Sequence, residues 1–207
     1  RIHAPMNVPC WIALAAASLL APLAFAQPTA PSPTIPTRDH TVRLLTLTQG
    51  LENPWGLAFL PDGRMLVTER PGRLRVISKD GQLDPMPVAG LPRVDAQGQG
   101  GLLDVTLHPQ YADNGWIYWV YAQRDARGNN GTELARGKLA GAAGNYRLTD
   151  VQMLFRMAPK SSRGLHFGSR LVWDREGRLL MTLGDRGDME RAQKLDDHAG
   201  KILRLSD

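Results

Sequence analysis

Beyond residue 41 the apolar positions of this chain come in short runs, cut apart by polar turn residues. From Trp55 to Ile77, "WGLAFLPDGRMLVTERPGRLRVI" divides into three such runs. Pro61-Asp62-Gly63 separates the first pair and Arg70-Pro71-Gly72 the second. Proline presets φ for a turn and glycine supplies a positive φ at no steric cost, so both tripeptides predict chain reversals. Apolar runs of about four to eight residues between such turns predict a β meander. Only the region around Asp188–Leu195 suggests a short helix.

The plan recurs. "LAFLPDGRMLVTE", "VTLHPQYADNGWIYWVYA" and "LVWDREGRLLMTLGD" each read as strand, polar turn, strand. Pro61 and Pro109 lie 48 residues apart, and Pro109 and Arg175 lie 66 apart. The longer interval holds "RDARGNNGTELARG" and the segment around His166. A loosely repeated unit of roughly 45–50 residues with four short strands is the signature of a β-propeller blade; a β-sandwich is the other reading of such strands. The fold class is therefore all-β, with a propeller favoured by the repeat. A closed propeller takes about 4–8 blades, and residues 42–207 hold about three. A part ring leaves a sheet edge and an apolar face uncovered, so residues 42–207 are expected to be the N-terminal portion of a longer propeller domain.

The beginning of the chain reads differently. Residues 1–26 contain "WIALAAASLLAPLAFAQ", whose Ala24-Phe25-Ala26 is an A-x-A cleavage signature, so a secretory signal peptide is expected there. The run is too short for a stable span and Pro22 interrupts it, so no stable membrane insertion is expected after cleavage. The expected location is periplasmic or secreted. Residues 27–41, beginning "QPTAPSPTIPT", read as a Pro/Thr-rich extended leader. Cleavage after Ala26 removes Cys10, the single cysteine, and leaves 181 residues that must rely on their own core. The mature chain would carry 24 basic and 20 acidic side chains, well interspersed. No basic stripe with interleaved aromatics appears, which argues against a nucleic-acid partner.

Candidate chemistry gathers in "GLHFGSRLVWDREGRLLMTLGDRG", Gly164 to Gly187. Asp174-Arg175-Glu176-Gly177 has type I turn chemistry, so the stretch is a β-hairpin. If the turn centres between Arg175 and Glu176, His166 faces Asp185. If Gly177 sits in a left-handed bulge, His166 faces Arg186 instead, with Asp185 one step away. In both registers imidazole and carboxylate share one end of the hairpin, within cross-strand reach. Histidine suits proton abstraction near neutral pH, and a carboxylate on one ring nitrogen leaves the other as acceptor. The same pair also serves plain structural roles elsewhere, and the residues alone leave both readings open. Gln99, in the glycine-rich "QGQGG", could meet a polar ligand. Neither a P-loop nor a G-x-G-x-x-G fingerprint is present, so an oxidoreductase built on this chain would not use a nicotinamide site of that type. The spacing of Asp185, Asp188 and Glu190 matches no calcium loop.

Taken together, "GLENPWGLAFLPDGRMLVTERPGRLRVI", "GQGGLLDVTLHPQY", "HFGSRLVW", "LGDRG" and "GKILRL" occur in an order that resembles the soluble pyrroloquinoline-quinone-dependent sugar dehydrogenases. The similarity is to the bacterial aldose sugar dehydrogenase branch, also called glucose/sorbosone dehydrogenase, and covers residues 45–206. The resemblance implies a six-bladed β-propeller in the intact family, and oxidation of an aldose at its anomeric carbon to a lactone. It implies His166 as the general base, Asp185 as its partner and Gln99 as a substrate-binding residue. Hydride would pass to pyrroloquinoline quinone, with calcium as a further cofactor and an external electron acceptor as the second partner. The family's quinone-clamping arginines, asparagine and lysine, and its calcium ligands, are expected beyond Asp207, so the 207 residues alone are expected to be inactive. One departure is Leu165, where the family commonly carries a polar residue. Two other classes stay open: a metal-dependent lactonase-type propeller hydrolase, and a non-catalytic binding propeller.

Overall fold

The computed structural model of the protein describes residues 32–206. The expected signal peptide, residues 1–26, and the leader as far as residue 31 lie outside the described residues. The chain divides into a short unit ending at Leu45 and a large one starting at Thr46. In the first, β1 (Thr34–Pro36) and β2 (Thr41–Arg43) form an exposed antiparallel hairpin with Ile35 opposite Val42. The Thr37 hydroxyl closes its turn, donating to the His40 carbonyl at 2.6 Å. Regular structure thus begins inside the Pro/Thr-rich stretch, because Thr37 supplies the side-chain bond that a Pro-rich composition does not reveal.

The large unit consists of three antiparallel meanders. The first holds β3 (Pro54–Phe59), β4 (Met65–Glu69) and β5 (Arg73–Ile77). The second holds β6 (Leu102–Leu107), β7 (Trp116–Arg124), β8 (Asn130–Ala140) and β9 (Arg147–Arg156). The third holds β10 (Gly168–Trp173), β11 (Leu179–Leu183) and β12 (Ile202–Leu205). These are propeller blades. Four strands per blade is met only in the second. In the first, residues 83–89 occupy the fourth place but contain Pro85 and Pro87, which have no N–H for the ladder. Two bonds remain there, Asp84 N to Val76 O at 2.9 Å and Val88 N to Leu74 O at 2.8 Å.

Two single-turn helices interrupt the meanders. α1 (Tyr111–Asn114) sits in the polar turn before β7 and ends at Gly115, whose φ of 70° lets its N–H return to the Tyr111 carbonyl. The hydrophobic pattern did not reveal it, since four residues carry no periodicity. α2 (Met189–Ala192) falls within the expected 188–195 region but is shorter. Among the described residues no helix is long and apolar enough to cross a membrane.

The core lies between the blades. β7 is buried on both faces, which is why "WIYWVYA" reads as a nearly continuous apolar run. Ile117, Trp119 and Tyr121 enter one cluster with Leu66 and Leu74 of the first blade. Tyr118 and Val120 enter the other with Leu171 and Met181 of the third. Trp119 is 0 % exposed, so Trp119→Ala is expected to cost about 3–5 kcal/mol. Denaturant unfolding would show this as a large fall in the midpoint; an unchanged midpoint would contradict the two-sided packing.

Each inner strand carries a register shift at the same place: Pro54/Leu57, Leu102/Val105 and Gly168/Leu171. In the first and third blades a threonine on the adjacent strand takes up the displaced N–H. Gly56 N donates to Thr68 Oγ1 at 2.8 Å, and Arg170 N to Thr182 Oγ1 at 3.0 Å. In the second blade Asp104, buried, reaches across instead: its Oδ2 accepts the Leu171 N–H at 2.8 Å. The repeated bulges aim the starts of β3, β6 and β10 at one shared cleft.

Candidate active site

That cleft has a volume of about 550 Å³, and Trp55, Arg70, Gln99, Leu103, His166 and Phe167 line it. Its geometry starts at the β10–β11 turn. Gly177 adopts φ 76°, and the pairing beyond it sets Trp173 opposite Leu179 and Leu171 opposite Met181. Continued unchanged, that register would bring His166 opposite Arg186. The bulge between Gly168 and Leu171 moves the pairing by one residue, so Gly168 faces Leu183 and Gly184 N donates to the Phe167 carbonyl at 3.2 Å. Both registers considered for the hairpin therefore occur in sequence along it, and the one beyond the bulge brings His166 across from Asp185.

His166 Nδ1 and Asp185 Oδ1 are 2.7 Å apart. An ionised carboxylate can only accept, so the proton is assigned to Nδ1 and the Nε2 lone pair is left for a ligand. The imidazole is 53 % exposed and the carboxylate 29 %, so the pair is open to the cleft rather than sealed in apolar packing. Asp185 Oδ1 also accepts the Gly187 N–H at 2.8 Å. The His166 bond first, and the Gly187 bond second, hold the Asp185 carboxyl below its ordinary value of 3.8.

The backbone around the pair is unusual. Of five non-glycine residues with positive φ among the described residues, three are here: His166 (52°), Ser169 (88°) and Arg186 (62°). Such conformations cost on the order of 1–3 kcal/mol where the side chain does not suit them, and persist when the surroundings over-determine them. Gln99 does this for His166. Its side-chain Oε1 accepts the His166 N–H at 2.8 Å, and its own N–H donates to the Gly164 carbonyl at 2.7 Å. Gln99 thus lines the cleft and also braces the residue that carries the imidazole.

Arg70 holds the loop that carries Gln99. One guanidinium nitrogen, Nη1, donates to the carbonyls of Ala96, Gly98 and Gly100 at 3.0, 2.9 and 3.1 Å. Sequence reading treated Arg70 only as part of a turn, because nothing along the chain signals a partner 26 to 30 residues away. Trp55 and Arg170 were missed for the same reason; the Arg170 guanidinium lies 4.5 Å from the Trp55 ring centre, across two blades. Leu165 is not part of the cleft lining. It lies against Gly187, where an added Cβ would meet its Cδ1 at 2.6 Å.

The lowered Asp185 value fixes the sign of a pH effect. A depressed carboxyl contributes stability that is present above about 3.8 and is lost as pH falls through the lower folded-state value. Asp185→Asn is therefore expected to be less stable than the wild type at neutral pH, with the gap closing in strong acid. Thermal unfolding of both proteins across pH checks this; a gap that widens in acid would reverse the assignment.

A tricarboxylate such as pyrroloquinoline quinone needs a cationic cradle, and the described residues do not form one. Arg70 is engaged with three carbonyls, and Arg170 is shared between Asp104, at 3.1 Å, and the Trp55 ring. Nor do three His, Cys, Asp or Glu side chains converge as a metal site among the described residues. What these residues present is a proton acceptor beside a polar cleft.

Residues 51–207 match the family profile described as glucose/sorbosone dehydrogenase. The chain is 42% identical over 168 residues to the aldose sugar dehydrogenase YliI of Escherichia coli, covering 81% of this chain and 44% of that protein. The crystal structure of the soluble aldose sugar dehydrogenase from Escherichia coli, in its apo form, superposes with a TM-score of 0.71 at 42% identity, over 75% of this chain and 44% of that one. The structure of a PQQ-bound aldose sugar dehydrogenase from Streptomyces coelicolor gives a TM-score of 0.68 at 28% identity, over 79% of this chain and 47% of that one. The chain spans about half the length of the curated relatives it matches.

Proposed function

The chain belongs to the glucose/sorbosone dehydrogenase family, and on that footing we propose that the whole protein is a periplasmic dehydrogenase oxidising aldose sugars to lactones. Pyrroloquinoline quinone, when bound, supplies the hydride acceptor, with calcium as the accompanying ion. The single observation that carries this reading is the His166–Asp185 pair, 2.7 Å apart and open to the cleft.

The chain's own residues account for the proton. The sugar's anomeric hydroxyl approaches His166 Nε2, which accepts its proton as the anomeric carbon gives up hydride. The C–O bond becomes the lactone carbonyl, two electrons leave with the hydride, and the proton rests on the imidazole. Asp185 keeps Nδ1 protonated and stabilises the imidazolium that forms. Gln99 holds the His166 backbone and lines the cleft where the sugar would sit. Trp55, beside them, offers an aromatic wall to a sugar face.

The test is reconstitution. Whole apoprotein given pyrroloquinoline quinone and calcium is expected to reduce a dye on addition of an aldose, with lactone as product. Absence of dye reduction across a panel of aldoses, with the quinone shown to be bound, would end the dehydrogenase reading. Lactone hydrolysis in that preparation would point instead to a hydrolase.

A further inference from the structure

Arg186 directly follows Asp185 and is 0 % exposed. Its guanidinium carbon lies 3.5 Å from the centre of the Phe167 ring, and Phe167 directly follows His166. Nη2 donates to the side-chain oxygen of Asn130, on β8, and to the carbonyl of Arg163. Arg163 returns the contact, since its Nη1 donates to the carbonyl of Gly187. Two reciprocal arginines therefore clasp the 163–167 segment to the 185–187 turn, and the His166–Asp185 bond lies inside the clasp.

For stability alone this is a poor arrangement. No carboxylate pairs with Arg186 among the described residues, and its Nε and Nη1 have no partner there. The amide nitrogen of Asn130 is likewise without one. Burial pushes the Arg186 guanidinium down to about 10. A buried cation with no hydrogen-bonded counter-ion is costly, since Asp95 offsets it only through space and Arg191 opposes it, and an apolar side chain of similar volume often serves a core better. Arg186 also holds a left-handed backbone, φ 62°. Strain and desolvation meet on the residue that packs behind the base.

We propose that Arg186 is a positioning residue for the His166–Asp185 pair. Stacked on Phe167 and bonded to Arg163 and Asn130, it sets the distance between imidazole and carboxylate and keeps His166 turned to the cleft. Its kinetic consequence rests on the dehydrogenase reading above; its geometric consequence does not.

The test compares Arg186→Met and Arg186→Lys in the whole protein. Met removes the charge, the stacking plane and both hydrogen bonds; Lys keeps the charge but loses the planar fork. In the apoprotein, the downfield proton signal of His166 Nδ1–H, identified by its loss in Asp185→Asn, is expected to broaden or vanish in both variants. In the reconstituted enzyme, kcat is expected to fall by about tenfold or more, since small misplacements of a reacting group can cost up to about a hundredfold. Quinone binding and sugar KM should stay near wild type, and the Met variant should melt no earlier than the Lys variant. A wild-type proton signal and unchanged kcat in a folded Arg186→Met protein would overturn the proposal. If the Met variant does not fold, a folded Arg186→Lys protein with the wild-type signal overturns it equally. Full turnover in His166→Ala would sink the dehydrogenase reading, while the proton signal would still decide the clasp.

Discussion

Replacing His166 by alanine in the whole, reconstituted protein is expected to lower kcat by about 10²–10⁴-fold, the usual contribution of a positioned general base. Quinone binding should remain largely intact, because the quinone-clamping residues that the family resemblance implies are expected beyond Asp207. The loss should fall on kcat and kcat/KM together, as for an interaction made chiefly in the transition state. Asp185→Asn should cost less and shift the pH–rate profile. Its amide oxygen can still hold the ring with Nδ1 protonated, but its N–H also admits the tautomer with the proton on Nε2, so only part of the population can accept, and no charge is left to stabilise the imidazolium. Steady-state kinetics with an aldose and a dye measure all of this. Turnover within a factor of a few of wild type in His166→Ala would remove the imidazole from the mechanism.

The second large effect is expected from one methyl group. Gly184 follows the last residue of β11, Leu183, and lies against the backbone of His166. A Cβ there would overlap the carbonyl oxygen and carbon of His166, both of them backbone atoms that cannot rotate away. Gly184→Ala must therefore push the strands apart beneath the base. A displacement near 1 Å can cost about 10²-fold in rate, so turnover is expected to fall to roughly the level of a poor general-base mutant. Stability should fall too, since the Gly184 N–H to Phe167 carbonyl bond is at the same point. An alanine variant with normal kcat and an unchanged melting midpoint would show that the two strands separate freely there. The contrasting control is Gly177→Ala. No atom lies within 4 Å of a Cβ at Gly177, so the cost there is confined to its positive φ and should leave the cleft untouched.

Much of the fold was legible in the chain because it depends on period and punctuation. Alternating runs between Pro-Asp-Gly and Pro-Gly turns mark the meanders, and the 48- and 66-residue spacings recur in the structure as Leu57, Val105 and Leu171, each just past its bulge. The hairpin ends that bring His166 to Asp185 could be read for the same reason: cross-strand partners follow from turn length. The family resemblance, drawn from five ordered motifs, was legible as well, and the profile match over residues 51–207 now shows it.

What the chain alone left undecided are the interactions that depend on distance in space. The one-residue shift at Gly168/Leu171 selects between two registers, and the Asp104 carboxylate of the neighbouring blade accepts the Leu171 N–H at that point. The missing fourth strand of the first blade could have been inferred from Pro85 and Pro87, yet the bridge that ties the end of its replacement, Ala89 with Arg147, reaches into another blade. Arg70, Trp55 and Arg186 carry no motif. Their roles come from carbonyls, rings and amides tens of residues away, brought within reach only when the blades pack. Local sequence thus determined the strands, the turns and the nearness of one histidine to one carboxylate. The packing between blades decided the bulges, the braces and the cleft, because a side chain's partners there belong to other repeats, whose positions follow from burying β7 on both faces and not from any spacing along the chain.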